Sequence, residues 1–141
     1  MVNRWAVAYR LSLLKASAFL FACVALWGAV SAPVRGAELV MVQQPGCTWC
    51  AKWDREIAPI WPRTEAGEFA PLRREQLREM PAGMDLDRRV TFTPTFLVMN
   101  DQGEELGRLE GYPGEDFFWP VIERLLADTA GFAPDPGASQ E

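Results

Sequence analysis

Apolar positions along this chain follow two rhythms. Leu39-Val40-Met41-Val42 is a short continuous apolar run, stopped by Gln43-Gln44-Pro45-Gly46. That pattern predicts a buried strand leading into a turn. Trp53, Ile57, Ile60 and Trp61 then recur at three- and four-residue spacing, which predicts a helix beginning near Cys47 with one apolar face. Within it, Pro59 predicts a kink and Pro62 an end. Ala70 to Leu77 reads as a second strand, broken up by charged residues. Thr95-Phe96-Leu97-Val98-Met99 is again a continuous buried-strand run. Asn100-Asp101-Gln102-Gly103 is a turn after it, and Glu104 to Glu110 returns antiparallel as a hairpin. A last helix is expected over Glu115 to Asp128, with Phe118, Val121, Ile122 and Leu125 as its buried stripe. Pro120 fits that helix only in or near the first turn, where amide donors lack partners anyway. Gly131 should stop it. The order is strand–helix–strand, then strand–strand–helix, which is an α/β fold with a mixed sheet of about four strands flanked by helices.

The two ends do not follow these rhythms. Residues 1–15 hold three bases, Arg4, Arg10 and Lys15, and an uncharged apolar run follows from Ala16 to Ala32. Small residues close the run. A basic start, an apolar middle and a small-residue end form an export signal. Ala29 and Ser31 fit a cut after Ser31, so residues 1–31 read as a signal peptide. The alternative is an uncleaved anchor, although a spanning helix wants roughly 20 apolar residues. Both fates deliver the rest of the chain outside the cytoplasm. Cys23 lies inside the run and reads as one more apolar residue of it. Residues 32–129 form one domain, and 130–141, rich in Pro, Gly and Ser, read as a disordered tail.

Composition narrows the chemistry. The chain of 141 residues has no histidine, which removes histidine acid–base catalysis and most transition-metal sites. The first 37 residues carry four bases and no acid, leaving ten bases against 19 acids, a net charge of −9, for the remainder. Nothing in so acidic a domain favours nucleic acid as a partner.

The chemistry concentrates at Cys47-Thr48-Trp49-Cys50. A thiol at a helix start meets unpaired amides and the macrodipole, which favour its thiolate. The second thiol lies one turn on. Cys50 borders the stripe of Trp53 and Ile57, whereas Cys47 sits at the tip, so Cys47 reads as the attacking nucleophile and Cys50 as the resolving thiol. A structural disulfide would close too short a loop to stabilise much. Zinc wants four ligands, and the exported part offers two cysteines and no histidine. A two-coordinate copper(I) carrier stays open as the alternative function. Trp49, between the cysteines, is either part of a docking surface or packed on the helix. Asp54, a turn beyond Cys50, reads as a solvated residue that could instead relay protons. The arginines at 73, 74, 78, 88 and 89 read as a solvated basic face.

Pro45-Gly46-Cys47-Thr48-Trp49-Cys50, Thr93-Pro94 before a strand, a hairpin, and Gly111-Tyr112 before a final helix together resemble the thioredoxin superfamily over residues 38–128. The resemblance implies a short thioredoxin fold and an enzyme, a thiol–disulfide oxidoreductase, working on client proteins. It implies that Thr93–Pro94 is a cis bond beside the sulfurs, with Thr93 pairing to the substrate chain. It implies no cofactor beyond the redox-active pair Cys47–Cys50. A membrane thiol transporter is the expected electron source, and a monomer the expected state. The buried aspartate that cytoplasmic members carry six residues before the first cysteine is Met41 here. Length and the Gln-Pro-Gly-Cys-x-Trp-Cys run are similar to small exported members of bacterial sulfur-oxidation systems.

Overall fold

A computed structural model describes residues 36–135. The readings made for residues 1–31 and for 136–141 lie outside the described residues. Strand β1 (Glu38–Gln43) leads into helix α1 (Thr48–Glu56), a short 3-10 turn (Trp61–Arg63) and helix α2 (Glu65–Phe69). Strands β2 (Leu72–Gln76), β3 (Thr95–Met99) and β4 (Glu105–Glu110) follow, and helix α3 (Glu115–Ala130) comes last. The sheet order is β2-β1-β3-β4, with β1 parallel to β2 and antiparallel to β3, and β3 antiparallel to β4.

The continuous apolar runs become the two central strands because both of their faces are covered. Successive side chains point to opposite faces. On one face Leu39, Met41, Phe96 and Val98 pack against Trp53, Ile57, Trp61, Phe118, Ile122 and Leu126 from the helical segments. On the other, Val40, Val42, Leu97 and Met99 meet Val90 and the side chains of Leu77, Met80, Met84 and Leu86. The irregular segment between β2 and β3 thus covers the second face. Phe118 is the hub of the first, with ring centroids 5.2 Å from Phe96, 5.7 Å from Tyr112 and 5.9 Å from Trp53. Gly67 allows α2 to close on the preceding turn, because a Cβ there would stand 1.7 Å from the Trp61 carbonyl oxygen.

Four expectations are corrected. Pro59 does not kink a long helix. Helix α1 stops at Glu56, because a proline excludes helical geometry before it and clashes with the carbonyl four residues back. Ile60 is accordingly only half-buried, while Trp61 is buried from the next turn. Pro120 lies inside α3, two residues past the first helical bond from Phe118 to Gly114, so one later bond is missing. The stripe of α3 is Phe118, Ile122 and Leu126, and Val121 is exposed. The ordered chain also passes residue 129: α3 reaches Ala130, and Phe132 is buried with its ring 5.3 Å from that of Phe69.

The β2–β3 connection is held by a buried ion pair. Glu105 accepts from Arg108 Nε at 2.6 Å and from the Asp87 amide at 3.1 Å. Arg108 also donates to the Arg88 carbonyl at 2.8 Å. These contacts fix the segment that runs into Thr93 and Pro94.

A second polar junction joins α1 to the loop before α3. Lys52 donates to Glu56 at 2.7 Å, and the Tyr112 hydroxyl donates to Glu56 Oε2 at 2.7 Å. The Lys52 bond first, and the Tyr112 bond second, hold the Glu56 carboxyl below its ordinary 4.5. Burial, then the bond to Glu56, push the Tyr112 phenol well above its ordinary range. A carboxylate depressed in the folded state stabilises above its unfolded pKa, and that contribution disappears as pH falls through the folded value. Urea midpoints of the native chain and Glu56→Gln should therefore differ at neutral pH and converge as the pH falls below 4.5. A gap independent of pH would contradict this.

Candidate active site

The turn between β1 and α1 sets the first sulfur. Gly46 adopts φ +79°, a left-handed geometry open to glycine, and the Cys47 amide closes the turn on the Gln44 carbonyl at 3.2 Å. Cys47 is then the N-cap of α1, and its Sγ accepts from the Cys50 amide at 3.1 Å. Cys47 and Cys50 are joined as a disulfide. Cys47 is half-buried, whereas Cys50 is only 4% exposed and belongs to the helix-side core. The asymmetry expected between a reachable first sulfur and a sheltered second one is present. When the bond is reduced, the amide that faces Cys47 Sγ is a ready donor to a thiolate.

The Thr93–Pro94 peptide bond is cis, Pro94 is buried, and its carbonyl accepts from the Gly111 amide at 2.8 Å. Thr93 Oγ1 accepts from Gln44 Nε2 at 2.9 Å, which links the proline loop to the turn carrying Cys47. Trp49 is not packed on the helix. It is half-exposed and lines a shallow depression with Phe92, Leu109, Gly111, Tyr112 and Pro113. Phe92, also half-exposed, is a site residue that the sequence reading missed. A large aromatic just before Thr93-Pro94 was the available signal. Gln44 was missed because its partner lies 49 residues away.

A second cleft, about 500 Å³ in volume, opens on the other side of the sulfurs. Cys47, Cys50, Ala51 and Asp54 from the helix side line it together with Gln43 and Gln76. Lys52, the base nearest the cysteines in sequence, turns to Glu56 and places its Nζ 5.4 Å from the Tyr112 ring centroid. The thiolate of Cys47 would therefore rely on backbone amides. Among the described residues, no three His, Cys, Asp or Glu side chains gather as a metal site.

A family model described as a thioredoxin-like domain matches residues 35–126. Among solved structures, the crystal structure of the periplasmic thioredoxin SoxS from Paracoccus pantotrophus, in reduced form, is 55% identical with a TM-score of 0.62. The match covers 64% of this chain and 96% of that one. No curated protein matches the chain.

Proposed function

The chain belongs to the thioredoxin-like family and is similar to SoxS within it, and on that premise we propose that it is an extracytoplasmic thiol–disulfide oxidoreductase that reduces client disulfides. The observation that carries the reading is the placement of Cys47 as helix N-cap under the Cys50 amide, with Cys50 sheltered behind it. In the reduced protein, Cys47 thiolate attacks one sulfur of a client disulfide and releases the other as a thiolate. Cys50, deprotonated, then attacks Cys47 Sγ. The Cys47–Cys50 bond forms, the second client sulfur leaves, and two electrons have passed to the client. Trp49 and Phe92 offer an apolar seat beside the pair, and the backbone at Thr93, next to Pro94, offers hydrogen bonds to an extended client segment.

The direction follows from what stabilises the Cys47 thiolate. No histidine lies in the chain, and Lys52 is engaged by Glu56. The helix terminus remains, typically about 0.3–1 kcal/mol, less than one pKa unit. A modest shift implies a potential nearer about −270 mV than the roughly −120 mV of a strong oxidant. Equilibration with glutathione should give that result. A potential above about −150 mV with a Cys47 pKa below about 5 would reverse the direction. Working as a reductant outside the cytoplasm requires electrons delivered across the membrane, so a membrane thiol transporter is the proposed donor. No cofactor beyond the sulfur pair is needed.

Export is tested separately. A fusion of residues 1–45 to a reporter active only outside the cytoplasm is expected to be active, given the basic start and the Ala16–Ala32 run. Activity confined to the cytoplasm would contradict it.

A further inference from the structure

Resolution of a mixed disulfide has a proton requirement that Cys50 cannot meet alone. Cys50 is 4% exposed, and a buried thiol attacks only after giving up its proton. β1 supplies no acid or base at this place, since its residues beneath the helix are Leu39 and Met41. Cys47 and Cys50 share their cleft with one ionisable side chain, Asp54.

Three observations place Asp54 for this task. It is four residues beyond Cys50 in α1, on the same helix face, where such positions lie about 5–6 Å apart between Cβ atoms. It lines the cleft that both cysteines line. Its carboxylate is anchored from outside the helix: Oδ1 is buried and lies 2.7 Å from Arg74 Nη2 of β2. Arg74 is itself fixed, donating to Gln43 Oε1 at 3.0 Å and to Met41 Sδ at 3.5 Å, with its guanidinium 5.5 Å from the Trp53 ring centroid. Of the other charged side chains of α1, Lys52 and Glu56 pair with each other and with Tyr112 on a different face, and Arg55 is exposed and does not line the cleft. The remaining polar side chains of the cleft, Gln43, Gln44, Thr48 and Gln76, carry no charge.

We propose that Asp54, positioned by Arg74, is the proton relay for Cys50; this deepens the thiol-exchange reading above and rests on it. In the forward step the Cys50 thiol passes its proton through water in the cleft to the Asp54 carboxylate. Cys50 thiolate attacks Cys47 Sγ, the Cys47–Cys50 bond forms, and the client sulfur leaves with the electron pair and is protonated by solvent. Asp54 returns its proton to solvent through the open cleft. Reduction of the pair runs the relay backwards and leaves Cys50 as the thiol.

The pair is half-exposed, with side-chain exposures of 34% for Arg74 and 40% for Asp54, so its removal should cost little stability. The test uses the full reduced chain carrying Cys23→Ser, mixed with dithiobis(nitrobenzoate) in a stopped-flow instrument. The first chromophore released reports capture by Cys47, and the second reports resolution by Cys50. Asp54→Asn is expected to slow the second phase relative to the first by about a hundredfold, the lower edge of what a positioned proton acceptor contributes. Its rate should then climb nearly tenfold per pH unit below the ordinary thiol pKa of about 8.5, where the native chain shows a shallower slope. Asp54→Glu should restore the shallow slope, and Arg74→Gln should slow the second phase less than Asp54→Asn does. A second phase in Asp54→Asn within about twofold of native, with the same slope, overturns the relay and leaves thiol exchange standing. A native chain with no second phase would overturn both.

Discussion

Serine in place of Cys47 is expected to abolish disulfide turnover, whereas serine in place of Cys50 is expected to trap clients on Cys47. Cys47 caps the helix, is partly accessible, and has an amide donor 3.1 Å from its sulfur. A hydroxyl in its place has no accessible anion to stabilise, so turnover should fall by at least about 10³-fold, the scale of losing a covalent nucleophile. Cys50 is sheltered in the core edge and cannot substitute. Its loss removes only the escape from the mixed disulfide, so capture persists and the adduct accumulates. Non-reducing gels of the two variants after exposure to client read the difference. Equal trapping by both would mean that the two sulfurs are not distinguished as the geometry indicates.

The largest effect on stability is expected from Arg108→Met. Arg108 and Glu105 are 6% and 1% exposed at their side chains, and their closest approach is 2.5 Å. Removing one partner leaves an uncompensated buried charge, which typically costs about 3–5 kcal/mol. That is a large part of the roughly 5–15 kcal/mol by which domains of this kind are stable. Met keeps most of the apolar stem, so lost packing contributes little to the change. Adding Glu105→Gln removes the stranded charge and should recover much of the loss. Urea unfolding of the single and double variants measures both. A single variant within about 1 kcal/mol of the native chain would show that the pair is not what holds the 85–88 segment to β4.

What the sequence disclosed depends on how local each signal is. The β1 and β3 runs and the cysteine pair were legible because their patterns lie within a few residues. The last helix was legible as a helix, but its buried face was displaced. Phe118 and Ile122 are shared by both stripes, and only packing against the sheet selects Leu126 over Val121 and Leu125. The charges in β2 blurred it because its arginines are consumed at long range. Arg73 pairs with Glu38 and Arg74 with Asp54, across separations set by the parallel register Val40↔Arg73 and Met41↔Arg74. The same register makes part of the basic segment a set of specific partners where a solvated face was the simpler reading. Arg88 likewise meets Glu110 at 2.9 Å. Gln44 entered the site through its bond to Thr93, 49 residues away in sequence, which no local pattern announces.

The most direct measurement of the central claim is reduction of insulin by the full chain, with dithiothreitol as the electron source and copper(I) binding measured in parallel. Catalytic precipitation of insulin chains, lost in Cys47→Ser, is the result predicted from a helix-capping Cys47 backed by a sheltered Cys50. No acceleration over dithiothreitol alone, together with tight binding of one copper(I) by the pair, would contradict it.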